Sequence, residues 1–204
     1  VELSLNDGSI AKQYASPHLW KGYRGLSTLP YLLQCALMAL EGWLIEYVDA
    51  CGEDNHIEWI FNYLLKSSNS VMPTSVLASV ALGFPEKVGR SAFPILKCPQ
   101  LYHLDLQRMT GEMGGREQNW FASMLHRDVM SDIYVEERKK AALRPWRKES
   151  LETLLTRLQF GSEYREECLT IVDELIALAN ESGVEYLRFM VHRVDTRTWE
   201  AVED

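Results

Sequence analysis

The chain has 204 residues, of which 47% are hydrophobic and 25% are charged, a composition that is typical of globular proteins and excludes intrinsic disorder. Lysine and arginine together number 21 and aspartate and glutamate 29, so the formal net charge is −8. This balance argues against a surface built throughout for nucleic acid or anionic membrane.

The N-terminal segment, residues 1–27, is predicted to be irregular. Asn6-Asp7-Gly8 is typical of a turn, and Pro17 disfavours helix at the residue before it. The strongest helix is predicted directly after this segment, over residues 28–51. Apolar side chains recur there every three or four residues and occupy most of the circumference. We therefore expect other helices to cover this helix on two sides.

The helix at 28–51 is long enough to raise the question of a membrane span. Gln34, Glu41 and Glu46 would lie within the bilayer, where charged and strongly polar side chains are heavily penalised. We therefore exclude a spanning helix and expect a cytoplasmic protein with no membrane partner.

Further helices are predicted from the same spacing and from capping residues. They cover residues 54–66, 72–83, 86–98, 100–110, 116–143, 150–160 and 162–181. Pro94 is expected to kink or end the helix at 86–98. The C-terminal segment, 184–204, is ambiguous because its apolar residues fit either a helix or a short strand near the C-terminus.

The fold class that follows is all-α. The predicted helices of residues 28–183 pair through short connections, which is typical of a HEAT- or armadillo-like α-solenoid whose helix pairs bury their faces against their neighbours. Because no residue-level consensus repeats from pair to pair, an irregular helical bundle stays open as the alternative.

No catalytic residue, cofactor site or metal site is predicted. The four cysteines are far apart and form no Cys-x-x-Cys pair, which indicates reduced thiols and neither a zinc nor a redox site. The five histidines include no pair four residues apart. An enzyme whose site is assembled from scattered residues stays an alternative, with His103 or His126 beside carboxylates as the arrangement to look for.

One basic segment departs from the background composition. It contains Arg138, Lys139, Lys140, Arg144, Arg147 and Lys148, with Trp146 among them. A solvated helix end explains it most simply. The alternatives are a surface for an acidic protein partner and a nucleic-acid-binding module in which the cations contact phosphates and Trp146 stacks on a base.

Aromatic residues outside the helical patterns are candidate contacts for a protein partner. They are Trp20, Tyr23, Trp146 and Trp199. Because loop aromatics have less core to fill than helical ones, we predict that these four are exposed and anchor an interface.

Three stretches carry a resemblance to a known family. They are residues 16–25 running into the leucine-rich helix as far as Glu46, residues 75–109, and FMVHRVDTR at 189–197. Together they resemble the helical region downstream of the P-loop in some very large bacterial ATP-binding proteins of the NACHT/STAND-like kind. No Walker motif stands in the sequence, so no nucleotide-binding residue is carried over.

This resemblance implies a helical array that senses a trigger or supports assembly within an NTPase, several of which act in anti-phage defence. The start at Val1, without methionine, also suggests a piece of a longer protein. We therefore expect a non-catalytic interaction, scaffold or sensor segment of a larger cytoplasmic bacterial protein. Its partner would be protein, either other domains of the same chain or a separate molecule.

Overall fold

The all-α prediction is confirmed by a computed structural model of the chain. The structure describes residues 1–24, 29–51, 56–114, 129–161 and 163–200. Helices dominate these ranges, and the strands among them form one two-stranded antiparallel sheet. The sheet lies at the N-terminus and not near the C-terminus, where the sequence left a strand open.

The N-terminal segment is more regular than predicted. Strands β1 (Glu2–Ser4) and β2 (Ile10–Lys12) pair with Leu3 opposite Ala11, both buried. Helix α1 (Pro17–Trp20) and a 3₁₀ turn (Gly22–Arg24) follow. Residues 1–24 thus contain short regular elements that the sequence analysis did not identify, because three-residue strands are too short to show alternation and Pro17 occupies the first helical turn, where proline is tolerated.

The remaining helices follow the predicted order. They are α2 (Tyr31–Ala50), α3 (Ile57–Ser67), α4 (Val71–Gly83), α5 (Pro85–Val88), α6 (Phe93–Leu96), α7 (Pro99–Met113), α8 (Val129–Ala142), α9 (Leu151–Phe160), α10 (Arg165–Ser182) and α11 (Glu185–Val194). Further 3₁₀ turns cover Gly89–Ala92, Pro145–Lys148 and Thr196–Thr198. The predicted helix at 86–98 is thus divided, and the first part of the one at 116–143 lies outside the described residues.

The C-terminal segment is helical where the sequence was ambiguous. Leu187, Met190, Val191 and Val194 are buried on one face of α11, whereas Phe189 is exposed. These buried positions are spaced by three and four residues, so the helical periodicity decides the structure and the strand-like alternation is coincidental.

Helix α4 is the centre of the fold. Every residue from Thr74 to Leu82 is buried, and α1, α2, α3, α5 and α9 all pack against this helix. In a solenoid each helix pair would contact only its neighbours in sequence. The packing around α4 is that of an irregular bundle, the second of the two architectures that the sequence left open.

One face of helix α2 is exposed. Leu44 and Val48 are buried towards α4, but Leu32 is 84% exposed and Trp43 51% exposed. Among the described residues, no helix covers the face that carries Leu32 and Trp43, so the expected cover on two sides is not found there. None of the described helices has both the length and the apolar character needed to cross a bilayer.

Two glycines are expected to respond in opposite directions to alanine. Gly89 has φ +45°, and an added Cβ would lie 2.4 Å from Cζ of Tyr164, so Gly89→Ala should destabilise the protein by about 2 kcal/mol. Gly42 lies inside α2 with open space around it, so Gly42→Ala should stabilise by about 1 kcal/mol. Urea unfolding of both variants measures the two signs, and a shared sign would contradict this assignment.

Candidate functional site

A cluster of charged side chains lies inside the bundle. This cluster was not predicted from the sequence. We call it the arginine cluster. It consists of Arg24, Arg108, Arg144 and Arg147 together with Glu41, Asp105 and Glu112. The 3₁₀ turn after α1, helices α2 and α7, and the connection from α8 to α9 each contribute to it, so the cluster joins parts of the chain that are far apart in sequence.

Asp105, on α7, accepts hydrogen bonds from three directions. Trp20 Nε1 donates at 3.0 Å, Arg108 Nε and Nη2 at 2.7 and 3.1 Å, and the backbone N–H of Leu151 at 2.9 Å. Leu151 begins α9, so the Asp105 carboxylate satisfies an N–H at a helix N-terminus, where negative charge is favoured. One buried side chain thereby connects α1, α7 and α9.

Arg108 fixes the connection that leads into α9. Its Nη1 donates to the carbonyl oxygen of Arg147 and to Oε2 of Glu112, each at 2.8 Å, and its Nη2 donates to the carbonyl oxygen of Glu149. Burial lowers the pKa of Arg108, but Asp105 and Glu112 together raise it by more than burial lowers it. The pKa of Arg108 therefore lies above its ordinary value. Arg108 therefore stays charged while buried.

Glu41, on α2, is the second buried acid and is 1% exposed. It accepts from the hydroxyl of Ser79 at 2.5 Å, and its Oε2 lies 2.5 Å from Arg144 Nη1 and 3.6 Å from Arg147 Nη2. Burial raises the pKa of Glu41, whereas Arg24, Arg147, Arg144 and the Ser79 bond lower it, and the net pKa is lowered. The ionised form is thus the stable one.

Replacing Glu41 by glutamine is expected to destabilise the protein by about 2 kcal/mol at neutral pH, because buried arginine N–H groups lose their charged acceptor. The folded-state pKa of Glu41 lies below the ordinary 4.5. The carboxylate therefore stabilises the fold above pH 4.5, and that contribution disappears as the pH falls through the lower folded-state pKa.

Urea unfolding of the wild type and Glu41→Gln, from neutral pH downwards, measures this effect. The difference in unfolding free energy should shrink below pH 4.5, the ordinary pKa of this group. Glu181→Gln, at an exposed position of α10, serves as the matched control. A difference that is constant across the acid range would show that the charge of Glu41 contributes nothing.

Three arginines of the basic segment face the interior: Arg138, Arg144 and Arg147. Arg138 Nη1 donates to the carbonyl oxygen of Arg24 at 3.2 Å, Arg144 pairs with Glu41, and Arg147 is 7% exposed. A solvated helix end was expected here, and that interpretation is wrong for these three side chains. Their guanidinium groups are used within the fold.

The lysines of the basic segment are exposed: Lys139, Lys140 and Lys148. Lys140 pairs with Glu137 at 2.6 Å. The nucleic-acid alternative stays a hypothesis and now depends on these lysines, with salt-sensitive binding expected to be lost in Lys139→Glu and Lys148→Glu.

The four predicted aromatic anchors have different positions. Trp20 and Tyr23 are 0% and 1% exposed, so the prediction that they are exposed is wrong, and both instead hydrogen-bond inside the core. Trp146 is partly buried, donates to Ser79 at 3.3 Å and packs against Phe84. Trp199 is half-exposed beside Phe160.

One exposed apolar surface lies on a helix instead. Leu32, Ala36, Ala39 and Trp43 are all exposed on α2. Their separations of four, three and four residues place them on one face and match the spacing of a coiled-coil contact. We call this face the α2 seam. At its C-terminal end the Trp43 ring stacks on Tyr47, with ring centroids 5.6 Å apart.

The histidine alternative gains no geometric support in the part of the chain that is described. His103 is exposed, and its contacts are with Gln107 at 2.7 Å and with the edge of the Tyr186 ring. His126 lies outside the described residues. Within the described ranges, no three His, Cys, Asp or Glu side chains are grouped so that they could hold a metal ion.

Comparisons with known proteins assign no family to the chain. No protein-family model matches it, and no curated protein matches it. The resemblance to NACHT/STAND-like helical regions therefore stays a prediction, and the function has to be inferred from the geometry of the described residues.

Proposed function

We propose that this chain is a non-catalytic protein-interaction segment in which the α2 seam binds an apolar helix. The observation that carries the proposal is the exposure of Leu32 and Trp43 on a helix whose opposite face is buried against α4. Contiguous exposed apolar patches mark interaction sites, whereas single exposed apolar residues are ordinary.

The shape of the α2 seam favours a helix as the occupant. Ala36 and Ala39 lie between the two large side chains, and small residues let a second helix backbone approach closely. The stripe extends over about 16 Å, or three helical turns. A helix whose own apolar residues follow the same spacing would bury Leu32 and Trp43 and leave its polar face in solvent.

A photo-crosslinking residue at position 32 of the full-length native protein tests this proposal in the source cells. We expect crosslinks to a helical segment, identified by peptide mass, that are lost when Ala39→Glu places a charge in the α2 seam. Ala177→Glu, at an exposed position of α10, should leave them unchanged. Crosslinks only between copies of this chain, or no more than from a probe at the exposed Lys139, would overturn the proposal.

We propose further that this chain is a scaffold or sensor segment of a larger cytoplasmic bacterial protein, a P-loop NTPase in anti-phage defence. Another part of that protein would supply the helix that binds the α2 seam. The resemblance of residues 16–46, 75–109 and 189–197 supports this step. The intact mass of the native protein tests it, with peptides mapped beyond Val1 and Asp204. A mass near 23.5 kDa would contradict the larger protein but leave the α2 seam as a site for a separate partner.

A further inference from the structure

Among the described residues, the arginine cluster contains one more positive charge than negative. Four guanidinium groups face three carboxylates: Arg24, Arg108, Arg144 and Arg147 against Glu41, Asp105 and Glu112. A buried charge without a counter-ion has a high desolvation free energy, so buried charges in proteins are usually paired. A bound anion would neutralise the charge of the fourth guanidinium group.

In the part of the chain that the structure describes, three of these arginines have a buried nitrogen without a hydrogen-bond partner: Arg24, Arg144 and Arg147. Arg24 Nε and Arg144 Nη1 still lie 3.3 and 2.5 Å from a carboxylate oxygen. Arg24 Nη1 and Arg147 Nε have neither a hydrogen bond nor an ion pair with any described residue, although Arg24 is 6% exposed and Arg147 7% exposed. The rest of each guanidinium is held in place, since Arg24 Nη2 donates to Ser79 at 2.9 Å and Arg147 Nη1 to Glu112 at 3.3 Å. Buried donors of charged groups are rarely left unsatisfied.

Arg24 and Arg147 lie side by side. Arg24 Nε and Arg147 Nη1 are each 3.3 Å from the same atom, Glu112 Oε1. Burial and the neighbouring charge of Arg24 lower the pKa of Arg147 to about 10, with Glu41 and Glu112 acting in the opposite direction. The cluster also reaches the surface, because the side chain of Arg144 is 23% exposed and that of Glu112 10%.

We propose that Arg24 and Arg147 bind one small oxyanion of the phosphate type. Guanidinium groups present planar, divergent N–H donors that match the oxygen atoms of such an ion. The ion would accept from Arg24 Nη1 and Arg147 Nε and neutralise the surplus charge. This site is independent of the α2 seam and of any partner that binds there.

Thermal unfolding of the full chain in phosphate tests the site, compared with chloride at equal ionic strength. Phosphate that binds only the folded state should raise Tm by about 3 °C or more when it exceeds its Kd about tenfold. An equal Tm in both salts would overturn the proposal and leave the two N–H groups to water.

Variants with opposite expected effects locate the ion. Arg24→Gln and Arg147→Gln should abolish the phosphate-dependent rise in Tm, whereas Glu41→Gln, which removes a competing carboxylate, should enlarge it. Lys148→Gln removes an exposed cation beside Arg147 and should leave the rise unchanged. A rise that is the same in all four variants would place the ion elsewhere and contradict the proposal.

A second measurement covers the case in which the arginine variants do not fold. In the wild-type protein, phosphate titration followed by NMR should shift the side-chain Nε–H signal of Arg147 saturably, and an unchanged signal would overturn the site. Titration with glycerol phosphate then distinguishes the sources of the anion. A response to the ester as well as to inorganic phosphate assigns the site to the phosphate group of a larger ligand, and a response to the free ion alone assigns it to phosphate itself.

Discussion

Replacement of Asp105 by alanine should destabilise the protein by about 3–5 kcal/mol, the range for breaking a buried ion pair by removing one partner. Arg108 would remain buried and charged, while Trp20 Nε1 and the N–H of Leu151 would lose the carboxylate that accepts their hydrogen bonds. The uncompensated charge of Arg108 is the largest of these losses, since its own exposure is 1%.

Urea unfolding of Asp105→Ala measures the loss. Asp173→Ala is the matched control, because it also removes an aspartate paired with an arginine, but the Asp173 side chain is 61% exposed. An exposed pair contributes about 0–1 kcal/mol. Equal effects of the two substitutions would show that burial adds nothing to the contribution of Asp105 and would contradict the described geometry.

The second large effect is expected at Trp20, where alanine should cost about 3–5 kcal/mol. The indole is fully buried and donates to Asp105, so both packing and a hydrogen bond are lost. Trp20→Phe retains much of the buried volume and should cost less. Trp199→Ala, at a half-exposed position, is the control. It should lower the free energy of unfolding by about 0.5 kcal/mol.

Trp20 also allows a test for coupling. Because Trp20 and Asp105 are hydrogen-bonded, the double substitution should cost less than the two single effects combined. Thermal or urea unfolding of the four proteins gives this coupling energy directly. Additive losses would mean that the bond between the two side chains contributes nothing, and a small loss in Trp20→Ala would favour an exposed indole, as the sequence had suggested.

The helices were predictable because their signals are local. Helix α9 begins after Ser150, whose side chain and that of Thr153 form a capping box, and α10 ends before Gly183, which has φ +65°. Such residues act within one turn of the helix and need no knowledge of the rest of the fold.

The arginine cluster was not predictable in the same way because its pairs join distant positions. Arg144 and Arg147 precede the α9 cap in a run of cations, and nothing nearby in sequence shows that Glu41 lies beside them. One signal was present in α7, where Asp105 follows Leu101 by four positions on the buried face. A charge in line with buried leucines indicates an internal partner.

The exposed surface was misjudged for a related reason. The sequence shows that α2 is apolar around most of its circumference, but not how many neighbours reach it. Trp20 and Tyr23 were assigned to the surface because they lie outside long helices. The short α1, with Trp20, instead packs against α4 and α7, and the turn after it, with Tyr23, packs against α2 and α4. Exposure depends on the packing of the whole chain, which local spacing does not contain.

The bonds from α7 to residues 147, 149 and 151 bear on where this chain can be divided. The connection between α8 and α9 is a place where the chain could be divided into two fragments, by separate expression or by a protease. A fragment that ends there would retain Arg108 and Asp105 without the carbonyl groups and the N–H that they bind. A break between residues 144 and 151 should therefore destabilise both parts, because buried charged and polar groups would lose their partners.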